Sequence, residues 1–306
     1  MSLSTMQIHI ADITIAVQSR WPHENLALLE REQRFSERYR NFFGQRSQTP
    51  DIIVQVEIVD TLPDTRHAQD LFITYHPDDR QENWRLMRRG AGYIYGCPLK
   101  DKEQVMMVNN DLTRVRAFVL PKPKNRRVWN VTDIIYDFLQ VLLIGYLSKY
   151  NRGVFVHAVG IKDQGRGLIF AGKSSAGKTT TAGIWHRYSH AMILNDDRII
   201  VRRKRNGFVM YGTPWHGTFD DYLFSRIESA PLERLFFIHK ARENATAALS
   251  PAPAFAQLYP TILPPFWDKR GLTTTAAFCE AMVRRVPCFN FAFAKNKSII
   301  PFVRSR

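Results

Sequence analysis

Cysteine is scarce: Cys97, Cys279 and Cys288 are the three in 306 residues, an odd number with no C-x-x-C spacing. Neither a disulfide framework nor a cysteine zinc site is supported, and reduced core thiols are expected. Long apolar runs are missing as well. The longest, residues 138–147, is broken by Gln140 and Gly145, far short of the roughly 20 residues a spanning helix needs. Residues 1–9 lack a basic stretch followed by an apolar one, so no secretory signal is expected and the location read from the sequence is cytoplasmic. There is no internal repeat and no low-complexity tract. Acidic residues are the scarce charge, 28 Asp+Glu against 43 Lys+Arg for a net +15. That balance favours polyanionic partners such as nucleotides or acidic peptides, and nucleic acid is not the expected one, because many nucleotide-binding proteins are this basic.

What remains is an ordinary globular composition, 45% hydrophobic and 23% charged, which excludes disorder for most of the chain. The length suits about two domains. Residues 1–125 read as an α+β domain for substrate or partner recognition. Its strands are expected at 8–17, 52–59, 71–75, 92–95, 105–109 and 114–120, where β-branched residues concentrate, and a helix with a basic outer face at 24–43. The prolines at 121 and 123, among basic residues up to Arg127, break all periodicity and place a linker there.

A second domain is expected over 126–306. Ile134, Ile135, Phe138, Leu142, Tyr146 and Leu147 recur at helical spacing and predict a buried helix over 132–150. Short apolar strands follow at 154–161, 167–171 and 191–194, with a helix over 178–188 and a hairpin turning at Asn206-Gly207 between 198–205 and 208–211. The basic run 202–205 is expected at that hairpin's tip, and the two prolines within 250–256 suggest a loop.

One segment carries chemistry. Gly172, Lys173, Ser174, Ser175, Ala176, Gly177, Lys178 and Thr179 satisfy G-x-x-x-x-G-K-[ST], with a strand before and a helix after. The glycines let successive backbone N–H groups turn into one concavity at a helix N-terminus, which holds phosphate oxygens. Lys178 would neutralise the β- and γ-phosphates and the Thr179 hydroxyl could ligate Mg²⁺; Thr180 continues the helix start. The next charged constellation is Asn195-Asp196-Asp197-Arg198, closing an apolar strand. Adjacent strand residues face opposite ways, so one carboxylate can hold a metal while the other accepts a proton from a hydroxyl. His157 interrupts an otherwise apolar strand that leads into the one feeding the glycine-rich loop. His186 and His190 share a helix face, but no third zinc ligand stands nearby.

His157-Ala158, the loop from Gly172 to Thr180, and Asn195-Asp196-Asp197-Arg198, in that order and spacing, resemble the catalytic domain of bacterial HPr kinase/phosphorylase. The fit is best to the broader group of HPr-kinase-like serine kinases, whose P-loop core is related to that of phosphoenolpyruvate carboxykinase. The resemblance covers about 45 residues closely. It implies an α/β, HPr kinase/phosphoenolpyruvate carboxykinase-like P-loop catalytic domain beside a smaller N-terminal α+β domain. It also implies Asp196 as acid/base at a serine hydroxyl, Asp197 as the metal's carboxylate and His157 as a supporting residue. The expected activity is ATP- and Mg²⁺-dependent phosphoryl transfer to a serine of a peptide or protein, acidic around the acceptor; a homo-oligomer is a candidate partner that the core resemblance does not itself carry. The rival readings are an ATP-binding sensor module without transfer and an ordinary P-loop ATPase.

Overall fold

The computed structural model describes residues 4–19, 41–44, 49–75, 82–98, 102–121, 131–217 and 227–306. The fold is mixed α/β, with two sheets and few helices. Two compact units divide the chain, Met1–Tyr146 and Leu147–Arg306. No helix among the described residues is long and apolar enough to cross a membrane.

The first unit holds an eight-stranded sheet. In chain order its strands are β1 (Ser4–Ile10), β2 (Ile13–Ser19), β3 (Ile52–Ile58), β4 (Gln69–Tyr75), β5 (Glu82–Arg89), β6 (Gly92–Pro98), β7 (Lys102–Val108) and β8 (Arg114–Pro121). Their spatial order is β1-β2-β3-β8-β7-β6-β5-β4. The pairs β2–β3 and β3–β8 are parallel, and the rest form antiparallel hairpins. The single strand expected over 8–17 is a hairpin instead. Ala11 and Asp12 turn it, both with positive φ (51° and 55°), the handedness a two-residue turn needs between twisted strands. Strand β5 was hidden in the sequence by its charge: Arg85 pairs with Glu82 along its own strand and with Asp70 across on β4, so its strand position rests on ion pairing as well as on apolar alternation. Helix α1 (Val131–Lys149) follows, as the periodicity predicts, with Ile135, Phe138, Leu139, Leu142 and Leu143 buried. Its Phe138 ring packs on Tyr95 with centroids 5.4 Å apart. The division between the units falls within this helix. The expected helix over 24–43 lies mostly outside the described residues, and 41–43 form a turn and bridge; the expected linker lies outside them from residue 122.

The second unit holds a nine-stranded sheet: β9 (Gly153–Asp163), β10 (Arg166–Ala171), β11 (Met192–Asn195), β12 (Arg198–Lys204), β13 (Gly207–Tyr211), β14 (Ser229–Ala241), β15 (Ala245–Ala248), β16 (Ile262–Leu263) and β17 (Cys288–Ala294). Two long strands bind its parts together. The first half of β9 pairs with β12 and the second half with β10. Likewise β14 starts against β13 and continues parallel to β10 and to β17. Helix α2 (Lys178–Tyr188) and the short α5 (Ile299–Arg304) cover one side, where Ile161, Phe170, Trp185, Phe236 and Phe291 cluster. Helices α3 (Pro251–Leu258) and α4 (Lys269–Val283) cover the other, where Phe278 of α4 joins Val154, Val156, Ile169 and Leu235 of the sheet. Strands buried on both faces have no reason to alternate polar and apolar residues, so β9, β10 and the 235–238 stretch of β14 read as near-continuous apolar runs.

Two expectations fail here for local reasons. Residues 251–258 are helical because Pro251 and Pro253 fall in the first turn, where a missing N–H forfeits no helical hydrogen bond. In the hairpin, Lys204 pairs with Gly207, so the turn residues are Arg205 and Asn206 and Gly207 carries the positive φ. The basic run is therefore mostly strand: Arg202 is buried, and Arg203 lies over the rings of Phe208 and Phe278.

Candidate active site

The loop between β10 and α2 is shaped by close approach. A Cβ on Gly172 would stand 2.8 Å from the Ala176 Cβ and 3.1 Å from the Ile238 carbonyl oxygen. The Ala176 N–H donates to the Lys173 carbonyl at 3.1 Å, and Ser175 takes φ +64°. Gly177 then caps α2 with φ +109°, a conformation open to glycine and strained for any L side chain. Lys178 folds back over its own loop, donating to the carbonyls of Gly172 (2.8 Å) and Lys173 (3.2 Å). Burial lowers its pKa from the usual lysine value; Asp197 opposes that shift and Arg198 adds to it.

The acidic pair lies in the turn between β11 and β12, and Asn195 is the template for that turn. This fully buried amide accepts from the backbone N–H groups of Asp197 (2.8 Å) and Arg198 (2.7 Å) and donates to the Thr213 carbonyl (2.9 Å). The carboxylates diverge as a result. Asp196 is 3% exposed; its Oδ1 accepts from the Gly217 N–H at 2.8 Å, and its Oδ2 is buried with no partner among the described residues. Burial raises its pKa above the ordinary carboxylate value, the Asp197 charge adds to this, and the Gly217 amide opposes it. For Asp197, burial alone would raise the pKa, but the His157 hydrogen bond and the charges of Arg198 and Lys178 outweigh it and the net shift is downward. Its Oδ1 lies 2.8 Å from His157 Nε2 and its Oδ2 2.6 Å from Arg198 Nη1. The register of β9 against β12, which sets His157 opposite Arg198, brings these side chains together.

One cavity of about 610 Å³ gathers the pieces. His157, Ser174, Ser175, Gly177, Lys178, Thr179, Thr180, Asp196 and Asp197 line it, joined by His216, Gly217 and Lys240. Gly172, Lys173 and Ala176 build the loop without lining the cavity. Lys240 carried no signal in the sequence, since it stands 62 residues after Lys178 with no motif around it. It reaches the site because β14 runs parallel beside β10, so both strands end on the same side of the sheet. Trp215 packs edge-on to Phe155.

A metal would find hard oxygen donors here, the Thr179 hydroxyl and the Asp197 carboxylate, with the unpartnered Asp196 Oδ2 nearby. Among the described residues no group of three or more His, Cys, Asp or Glu is arranged to hold an ion, His186 and His190 included. A site with so few protein ligands suits Mg²⁺, which keeps water and takes phosphate oxygens. No protein-family model matches the chain, and no curated protein matches it either.

Proposed function

We propose that the chain is an ATP-dependent kinase of the HPr-kinase-like group, with a P-loop kinase domain over 126–306 and a core related to that of phosphoenolpyruvate carboxykinase. It would transfer the γ-phosphoryl group of ATP to a serine hydroxyl on a peptide or protein. The observation that most supports this reading is a single cavity lined by a glycine-rich loop, its lysine and threonine, a buried carboxylate with one oxygen unpartnered, and a second carboxylate paired to a histidine.

In this reading the loop amides and Lys178 hold the phosphates and meet the charge that grows as the bridge to the leaving ADP breaks. Thr179 and Asp197 would hold Mg²⁺, which supplies neutralisation of phosphate charge. Asp196 Oδ2 accepts the hydroxyl proton as the serine oxygen bonds to the γ-phosphorus; burial raises its basicity above that of an ordinary aspartate. His157 holds Asp197 in place. The net +15 favours an acceptor with acidic residues near its serine, and a cytoplasmic location and a homo-oligomer belong to the same proposal. The turn at Arg205 and Asn206 sits at the far end of β12 from Arg198, about 20 Å away at 3.3 Å per residue. That turn is therefore remote from the cavity, whose own added cation, Lys240, stands beside Gly177 of the glycine-rich loop.

The test is incubation with ATP labelled at the γ-phosphate, Mg²⁺ and serine peptides of graded acidity. Label in wild-type reactions that disappears with Asp196→Asn, while ATP still binds, supports the kinase. ATP binding with no transfer by wild type to any acceptor would favour the sensor, and label released only as inorganic phosphate would favour the ATPase.

A further inference from the structure

Two cations of this region, Lys178 and Arg198, are already engaged by the protein itself. Lys178 is hydrogen-bonded to carbonyls of its own loop, and Arg198 sits 2.6 Å from Asp197 Oδ2, opposite His157 at Oδ1. The Arg198 side chain is 24% exposed, so its charge is only partly solvated. An ionised carboxylate has about four lone-pair sites, and two donors do not exhaust them. The obstacle to a divalent cation at Asp197 is electrostatic: a full positive charge stands where the ion would have to approach.

We infer that Arg198 is a built-in counter-ion for the metal carboxylate. In the nucleotide-free protein it keeps divalent-cation affinity low. When polyphosphate enters, the guanidinium has a stronger anion to meet, and its departure from Asp197 Oδ2 opens the carboxylate to the metal. Metal and nucleotide then assist each other's binding, and the linkage is reciprocal. The inference rests on the proposed function only in taking Asp197 as the metal's carboxylate. It requires no phosphoryl transfer and would hold equally for a sensor.

The experiment measures Mn²⁺ binding by electron paramagnetic resonance, with and without a non-hydrolysable ATP analogue, so no catalytic readout enters. Arg198→Gln is expected to tighten Mn²⁺ binding about tenfold without nucleotide, equivalent to about 1.4 kcal/mol. It should also shrink the further tightening that the analogue gives wild type. Arg198→Lys, which keeps the charge, is expected to stay within twofold of wild type. An Arg198→Gln affinity equal to or weaker than wild type, in protein with an unchanged melting profile, overturns the inference. Should that variant not fold, wild type crystallised with Mn²⁺ and the analogue decides: an Arg198 guanidinium more than 4 Å from Asp197 Oδ2 supports it, and one still within 3 Å overturns it.

Discussion

Gly177→Ala isolates what the loop requires of its second glycine. Two costs combine. At φ +109° the alanine Cβ meets its own backbone, a left-handed penalty of about 1–2 kcal/mol. The same Cβ would stand 2.4 Å from Cζ and 2.9 Å from Cε1 of Phe293, a fully buried ring on β17 that cannot swing into solvent. Forcing a methyl into packed surroundings costs about 1–3 kcal/mol more. The sum of about 2–5 kcal/mol falls on the loop's conformation, so on the proposed function affinity for ATP·Mg²⁺ should drop by about 30-fold to a few thousandfold. Calorimetric titration with ATP·Mg²⁺ measures it, with thermal melts to show how much of the penalty the fold absorbs. Phe293→Leu separates the two costs, because it removes the ring atoms in the way and leaves φ unchanged. The double variant should regain the packing share, about 5- to 150-fold in affinity. Binding by Gly177→Ala within threefold of wild type would refute the whole account, and no recovery in the double variant would refute its packing half.

Asp196→Asn should lower transfer by about 10²–10⁴ while ATP·Mg²⁺ affinity stays within about threefold, since its amide still accepts from Gly217; full transfer in this variant excludes Asp196 as the base. Lys240→Ala should weaken ATP·Mg²⁺ binding about tenfold with no change in melting temperature, because its side chain is exposed on the cavity wall; unchanged affinity removes it from the phosphate site. Burial pushes the thiols of Cys279 and Cys288 up to about 12. A raised thiol pKa depletes the thiolate at every pH below it, so at pH 8 their alkylation should run about a thousandfold slower in the folded protein than after unfolding, burial aside; rapid labelling of native protein at both positions contradicts the packing described.

The parts legible in the sequence are those whose physics is local. The strand, glycine loop and helix from β10 to α2 could be read because the motif is one consecutive stretch of chain, and the glycines that permit the turn sit within it. Helix α1 was legible from its apolar spacing for the same reason. The rest depends on which strands lie side by side, and adjacency has no linear signature. His157 meets Asp197 because β9 pairs with β12 in one register, and Lys240 enters the cavity because β14 runs beside β10. The acidic pair is the instructive case. Separate directions for Asp196 and Asp197 were expected from the alternation of a strand, yet β11 ends at Asn195 and β12 begins at Arg198, so neither aspartate is in a strand. Their divergence comes from the buried Asn195 amide, which binds two backbone N–H groups of the turn and the Thr213 carbonyl across it. Such an amide is costly to bury unless its hydrogen-bonding groups are matched, and here the turn supplies the matches. One carboxylate is thereby carried inward to Gly217 and the other outward between His157 and Arg198. Distinct environments for two adjacent carboxylates are what a division of labour between base and metal ligand requires, and in this chain a neighbouring asparagine creates them.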